Sequence, residues 1–182
     1  MSRNFQLVRD RIVDVCIAAL PDRPAADDDE LASLVLSSMP VNFVVNPGHP
    51  LIGKASLSFA DIARYPTLAL PAGSYPRVEA SLKSIGLWND EVCMTRYRRD
   101  AWEGKIEVAL TIGYGTALSL EISGGSLVKL PLELPFASGE VVVVHREFVA
   151  HPELQVLCDL ILSRLQVFAA RFADIRLLPG GC

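Results

Sequence analysis

Apolar positions along the chain switch between short β-branched runs and segments in which they recur every three or four residues, so strands and helices are expected to interleave. The run Val41 to Val45, stopped by Asn46, Pro47 and Gly48, reads as a buried strand entering a turn. Ser58 then caps a short helix. Asp61 stands at the reciprocal capping-box position, Leu57 can staple onto Ile62, and Pro66 forbids continuation beyond Tyr65. Thr67 to Leu70 start the next strand. Upstream, Phe5, Leu7 and Val8 read as the tail of a short helix, Ile12 to Leu20 suits an internal strand, and Leu31 to Leu36 makes an edge or return strand. Between these strands, Pro21 to Glu30 is a polar loop with two prolines and four consecutive acids. It reads as solvated, and its spacing does not fit a calcium loop.

Downstream, Ser74 is placed to cap a helix through Ser84, with Val78, Leu82 and Ile85 on one face and Gly86 as its stop. Cys93 to Tyr97 is the next strand, and Arg98 and Arg99 lead into a second helix with a capping box at Asp100 and Glu103. Ile106, Ala109 and Leu110 supply that helix's buried face and Gly113 ends it. Leu127 to Leu130 is a short apolar segment, Pro131 to Gly139 is loop-like, and the four valines from Val141 to Val144 are the clearest strand in the sequence. After His151 and Pro152 comes a long amphipathic helix, with Leu154, Leu157, Leu160, Ile161, Leu165, Phe168, Phe172 and Ile175 stepping by three and four.

At 182 residues and 51% hydrophobic content the chain suits one domain, or two small lobes sharing crossover strands. A net charge of -4 argues against a nucleic-acid module, whose phosphate contacts demand a basic face. No run approaches the roughly 18 apolar residues of a membrane span and the start lacks a signal-peptide pattern, so a cytoplasmic protein without membrane contact is expected. Cys16, Cys93, Cys158 and Cys182 are few, and free thiols are expected rather than bridges.

The order strand, His-Pro-Leu turn, Ser-Leu-Ser-Phe-Ala-Asp-Ile-Ala, Tyr-Pro and strand, from Val41 to Leu70, resembles the middle of the effector-binding domain of LysR-type transcriptional regulators. Val13 to Ile17 resembles the end of the family's Gly-x-Leu-Asp turn and strand, with Arg11 in place of the usual glycine. Gly113-Tyr-Gly-Thr-Ala-Leu-Ser-Leu resembles the family's Gly-x-Gly followed by an apolar strand. The resemblance covers about Phe5 to Phe172. It implies an α/β, two-lobed fold of the periplasmic-binding-protein-like type 2 class with two crossover strands. The first lobe would comprise 1–45 and 140–182 and be incomplete, and the second 46–139. It further implies a small organic effector, expected to be anionic, bound between lobes, and a homodimer or higher homo-oligomer. DNA contact would come only through a helix-turn-helix domain absent from this chain. A solute receptor and an enzyme on a similar two-lobed fold are the alternatives.

Candidate effector contacts fall at strand ends and helix starts. Asn46, Gly48 and His49 form the turn after the first crossover strand. Ser74 and Tyr75 precede a helix whose positive end suits an anion. Arg99, Asp100 and Trp102 combine a guanidinium fork, a helix start and an apolar wall. Gly113 and Tyr114 permit close backbone approach. Each also has a purely structural reading as turn, cap or surface charge. The sequence contains no Gly-x-Ser-x-Gly elbow, P-loop, His-Glu-x-x-His or Cys-x-x-Cys, and its three histidines are not spaced as metal ligands. Neither catalysis nor a cofactor or metal is expected.

Overall fold

The computed structural model describes residues 3–68, 71, 73, 75–88, 99–107, 110–122 and 124–178. The expected strand at Cys93 to Tyr97, together with Ser74, Arg98 and Ala109, lies outside the described residues. The same holds for the side chains of Arg99 and Asp100. In chain order the elements are α1 (Arg3–Arg9), β1 (Val15–Ala19), β2 (Leu31–Val35), β3 (Ser37–Val45), α2 (Phe59–Ile62), α3 (Pro76–Ser84), α4 (Arg99–Glu107), β4 (Gly113–Gly115), α5 (Ala117–Ile122), β5 (Val128–Ser138), β6 (Glu140–His145), α6 (Pro152–Ala169) and β7 (Arg176–Leu177). They form two compact units, the first from Met1–Met39 and Ala137–Cys182 and the second from Pro40–Phe136, and the divisions fall inside β3 and β5.

Unit 1 is built on β6. Its four valines are fully buried, and antiparallel β1 and β2 flank it, with Cys16 opposite Val143 and Ser33 opposite the same residue on the other side. Phe5 and Val8 of α1 pack with Leu31, Val141 and Val143 on one face. The expectation of an internal strand at Ile12 to Leu20 needs correction. Only Val15–Ala19 is strand, and it lies at one end of the sheet order, so Ile17 on its uncovered face is 55% exposed. The loop before β2 is more than a solvated acid run. Asp28 accepts the N–H groups of Glu30 and Leu31 and pairs with Arg9, which also holds Glu30. Burial alone would push the Asp28 carboxyl up, but those N–H groups and the guanidinium outweigh it and hold it below the ordinary value. In α6 the buried stripe is Leu154, Cys158 and Leu165, whereas Leu160, expected on that face, is 61% exposed.

Unit 2 is built on β3, which lies between β4 and β5. Successive β3 side chains point to opposite faces. Val41, Phe43 and Val45 enter a core with Leu51, Ile62, Val78, Leu82, Leu130 and Leu134, while Val44 enters a second core with Leu68, Trp102, Ile106 and Leu127. The Ser58 and Asp61 capping box is present in both directions. Three expectations differ. The helix-capping residue at the start of α3 is Tyr75, not Ser74, because Pro76 takes the first helical position, where its missing N–H and fixed φ cost nothing. Asp100 lies within α4 rather than before it, the expected capping box from Asp100 to Glu103 involves a side chain outside the described residues, and Leu110 beyond that helix is exposed. Val128 to Ser138 is one continuous strand through two prolines where loop was expected. As β5 stands at the end of the sheet order and both prolines lie on its exposed positions, their missing N–H groups fall where pairing is not required.

Candidate functional site

β3 ends at Val45, and Asn46 folds the chain back. Its Oδ1 accepts the Gly48 N–H at 2.9 Å, and its backbone carbonyl accepts that of His49 at 3.1 Å, an Asx turn of the kind asparagine favours. The Asn46 amide also donates to the Ile106 carbonyl at 3.2 Å, which ties this turn to α4. On the other side of β3, Gly113 lies opposite Val44, Tyr114 opposite Phe43 and Gly115 opposite Asn42. A β-carbon on Gly113 would come within 2.2 Å of Ile106 Cδ1 and 2.8 Å of Trp102 Cζ2, so this glycine lets α4 approach the strand. Six of the sequence candidates, Asn46, Gly48, His49, Trp102, Gly113 and Tyr114, are therefore drawn into one neighbourhood. Arg99 and Asp100 begin α4 at the end opposite Ile106, and no described contact joins them to this neighbourhood. Tyr75 heads α3 in an exposed position and no described side-chain bond connects it to the group.

Within this neighbourhood the candidates differ in what remains available. His49 is 2% exposed, its Nδ1 accepts the Leu51 N–H at 3.2 Å, and its ring leans on Tyr65 with centroids 4.6 Å apart. Because Nδ1 is an acceptor, the proton of the neutral ring sits on Nε2. Burial holds the pKa of His49 below its ordinary value. The Leu110 backbone acts in the opposite direction and is outweighed by burial, without reaching hydrogen-bonding geometry to Nε2. Trp102, read in sequence as an apolar wall for a ligand, is 4% exposed and belongs to the core with Val44 and Ile106. Its indole N–H is buried without a partner among the described residues, as is the side-chain N–H₂ of Asn42. Gly48 is exposed, and Asn46 and Tyr114 are half-buried.

The glycine motif also behaves differently from expectation. Gly113–Gly115 is a strand, and the chain leaves it as the helix α5 rather than as an apolar strand. Thr116 and Ser119 cap that helix reciprocally, the Thr116 N–H donating to Ser119 Oγ at 2.6 Å and the Ser119 N–H to Thr116 Oγ1 at 3.4 Å. A β-carbon on Gly115 would meet Ser119 Oγ at 2.4 Å, so both glycines are spent on packing. What sequence reading missed was Asn42, whose polar side chain within an apolar run was the available signal.

Among the described residues no helix is long and apolar enough to cross a membrane, and no group of three or more His, Cys, Asp or Glu side chains is placed to hold a metal ion. No curated protein matches the chain. Solved structures do. A MetR regulatory domain from N. meningitidis superposes with a TM-score of 0.71 at 15% identity, covering 97% of this chain and 80% of that one. A reduced form of OxyR from N. meningitidis gives 0.69 at 16%, over 96% and 80%. The cofactor-binding domain of the Cbl transcriptional regulator gives 0.67 at 18%, over 88% and 71%. At these identities the likeness establishes the fold, that of LysR regulatory domains of the periplasmic-binding-protein-like type 2 class. Residues 1–98, more than half of the 182, match the family model described as the LysR substrate binding domain, and the chain belongs to that family.

Proposed function

We propose that this chain is the part of a LysR-type regulator that senses a small organic anion and returns it chemically unchanged. The observation that carries this reading is the family match over residues 1–98. A sensor works by binding one arrangement of its own chain more tightly than another, so it needs affinity and no turnover. The anionic character rests on α4, which opens at Arg99 with nine helical residues. First-turn amides and the helix dipole favour negative charge, and a guanidinium adds charge-assisted hydrogen bonds. Arg99, Asp100, Asn46, Gly48 and Tyr114 are the contacts we assign to the effector, with Ser74 and Tyr75 as further candidates. His49, Trp102 and Gly113 act through packing that positions the turn and α4. DNA contact falls to a helix-turn-helix domain outside these 182 residues, the working form is a homodimer, and the compartment is the cytoplasm.

Calorimetric titration with a panel of small organic acids, with mass spectrometry of the recovered ligand, tests the reading. One acid should bind and be recovered intact, and Arg99→Ala should weaken it by about 1.5–3 kcal/mol, the usual value of a hydrogen bond to a charged group. An altered ligand would make the chain an enzyme. Unchanged affinity in a folded Arg99→Ala variant would move the contact away from α4.

A further inference from the structure

In unit 1, β2 begins beside the end of β6, with Leu31 paired to His145, and here a cavity of about 250 Å³ opens. Leu31, Ala32 and Ser33 of β2 form its floor, Arg23 and two alanines of the preceding loop one wall, and Arg146 the other. Its volume lies below the range of about 300–1,000 Å³ usual for drug-sized ligands, so a smaller molecule fits it.

The charged groups lining this cavity are both guanidinium donors. Arg146 is fixed in place by the loop, since its Nε donates to the Asp28 carbonyl and its Nη2 to the Ala26 carbonyl at 2.9 Å. That leaves Nη1 without a partner among the described residues, and the Arg23 guanidinium and the Ser33 hydroxyl have none either. The loop's carboxylates are directed elsewhere. Asp22 is buried, Asp28 and Glu30 hold Arg9, Asp27 and Asp29 are exposed, and none of the five lines the cavity. Two guanidinium groups and a hydroxyl facing one space, with no acid among them, form a site for an oxyanion. The methyl groups of Ala25 and Ala26 ask for a short apolar stem between its charged ends.

We propose that this cavity binds a short-chain dicarboxylate, with its carboxylates on Arg23, Arg146 and Ser33 and its methylenes against the alanines. The site shares no residue with the effector contacts assigned above, and it stands whether or not they do. Its occupant would bridge the loop of 21–30 to β2, and so stiffen a segment otherwise held by Arg9 and Arg146.

Amide NMR of the chain, titrated with succinate, inorganic phosphate or sodium chloride at matched ionic strength, tests the proposal. Succinate should give saturable shifts at residues 23–33 and 146, phosphate weaker ones and chloride none. Arg23→Ala should weaken succinate by about tenfold or more, as for any lost charged hydrogen bond, and Ser33→Ala by less. Neither side chain makes a described bond within the protein, so both variants keep the fold. Absence of saturation, shifts that persist in Arg23→Ala, or phosphate binding as tightly as succinate would overturn it. Shifts at 46–49 and 99–114 would report the other site, so the two readings fail separately.

Discussion

Where the strands of unit 1 end, polar side chains are partnered with one another. Ser37 is fully buried, yet its hydroxyl donates to the Glu140 carboxylate and accepts the Glu140 N–H at 3.0 Å. The Glu140 carbonyl accepts the Leu36 N–H at 2.9 Å, and that of Gly139 accepts Leu20 at 3.1 Å. Arg9 Nε and His145 Nδ1 are buried and unpaired there, but Arg9 is already paired at both of its terminal nitrogens. In unit 2, by contrast, the indole N–H of Trp102 is that side chain's only polar group and has no partner among the described residues, and the Asn42 amide, His49 Nε2 and Ser126 Oγ are left in the same condition. A buried donor without an acceptor costs about 1–3 kcal/mol, so such groups are not a stability device. The difference teaches where to look for a missing acceptor: the unpaired atoms of unit 1 sit on side chains or rings beside charged partners, whereas unit 2 carries donors on side chains that its described residues do not use.

The largest effect is expected where unit 1 is tightest. A β-carbon on Gly139 would lie 2.0 Å from the Ser37 carbonyl oxygen and 3.1 Å from Ser38 Cα, both backbone atoms that cannot rotate away. Gly139→Ala should cost about 3 kcal/mol, at the upper end for overpacking, in chemical denaturation. A loss under about 1 kcal/mol would show that β3 and β5 have slack there, and that the pairing of unit 1 is looser than its bonds imply. Ser37→Ala comes next, at about 1–3 kcal/mol, because it strands the Glu140 N–H and removes a partner of its carboxylate. Trp102→Phe should stay within about 1 kcal/mol, since the lost area is offset by removing an unpaired N–H. If Trp102→Phe costs more than Ser37→Ala, the indole has an acceptor after all, and the contrast between the units collapses.

Several parts of this fold were legible because one local rule governed them. The valines of β6 have no other way to satisfy strand propensity and burial together. Ser58 and Asp61 make a box that needs only each other. β5 was not legible as a loop should be: apolar residues at Val128, Leu130, Leu132, Leu134 and Phe136 alternate cleanly, but Pro131 and Pro135 between them read as breaks. Position in the sheet decided the matter, and position is not local. Trp102 was misplaced for a related reason. Flanking charges suggested an exposed ligand wall, whereas its spacing of four from Ile106 put both on the face of α4 that meets Gly113. The candidate site itself was legible as a set of turns and helix starts. Which of them pack and which stay open depended on contacts across β3 that no single segment contains.

The smallest expected effects come from two helix ends, one in each unit, closed by the same pair of bonds. At the end of α3 the Gly86 N–H donates to the Lys83 carbonyl at 3.1 Å and the Leu87 N–H to that of Leu82 at 2.9 Å, with Gly86 at φ 71. At the end of α1 the Arg11 N–H donates to Val8 at 3.0 Å and the Ile12 N–H to Leu7 at 2.9 Å, with Arg11 at φ 55. Both are Schellman closures, whose left-handed residue is usually glycine. Arg11 takes the left-handed position that glycine usually fills, and it keeps the turn while accepting the strain of a side chain in that region. Its exposed pair with Glu147, close to His145, is a weak compensation. Gly86→Ala should therefore destabilise by about 1 kcal/mol, and Arg11→Gly should move the denaturation midpoint the other way by a smaller amount. Glu147→Gln separates the contributions, since it removes the ion pair and leaves the backbone as it is. Should Arg11→Gly instead lower the midpoint by as much as Gly86→Ala, the arginine pair and not the backbone would be what closes α1. Unit 1 would then extend its habit of pairing polar groups even to a turn that glycine could form alone.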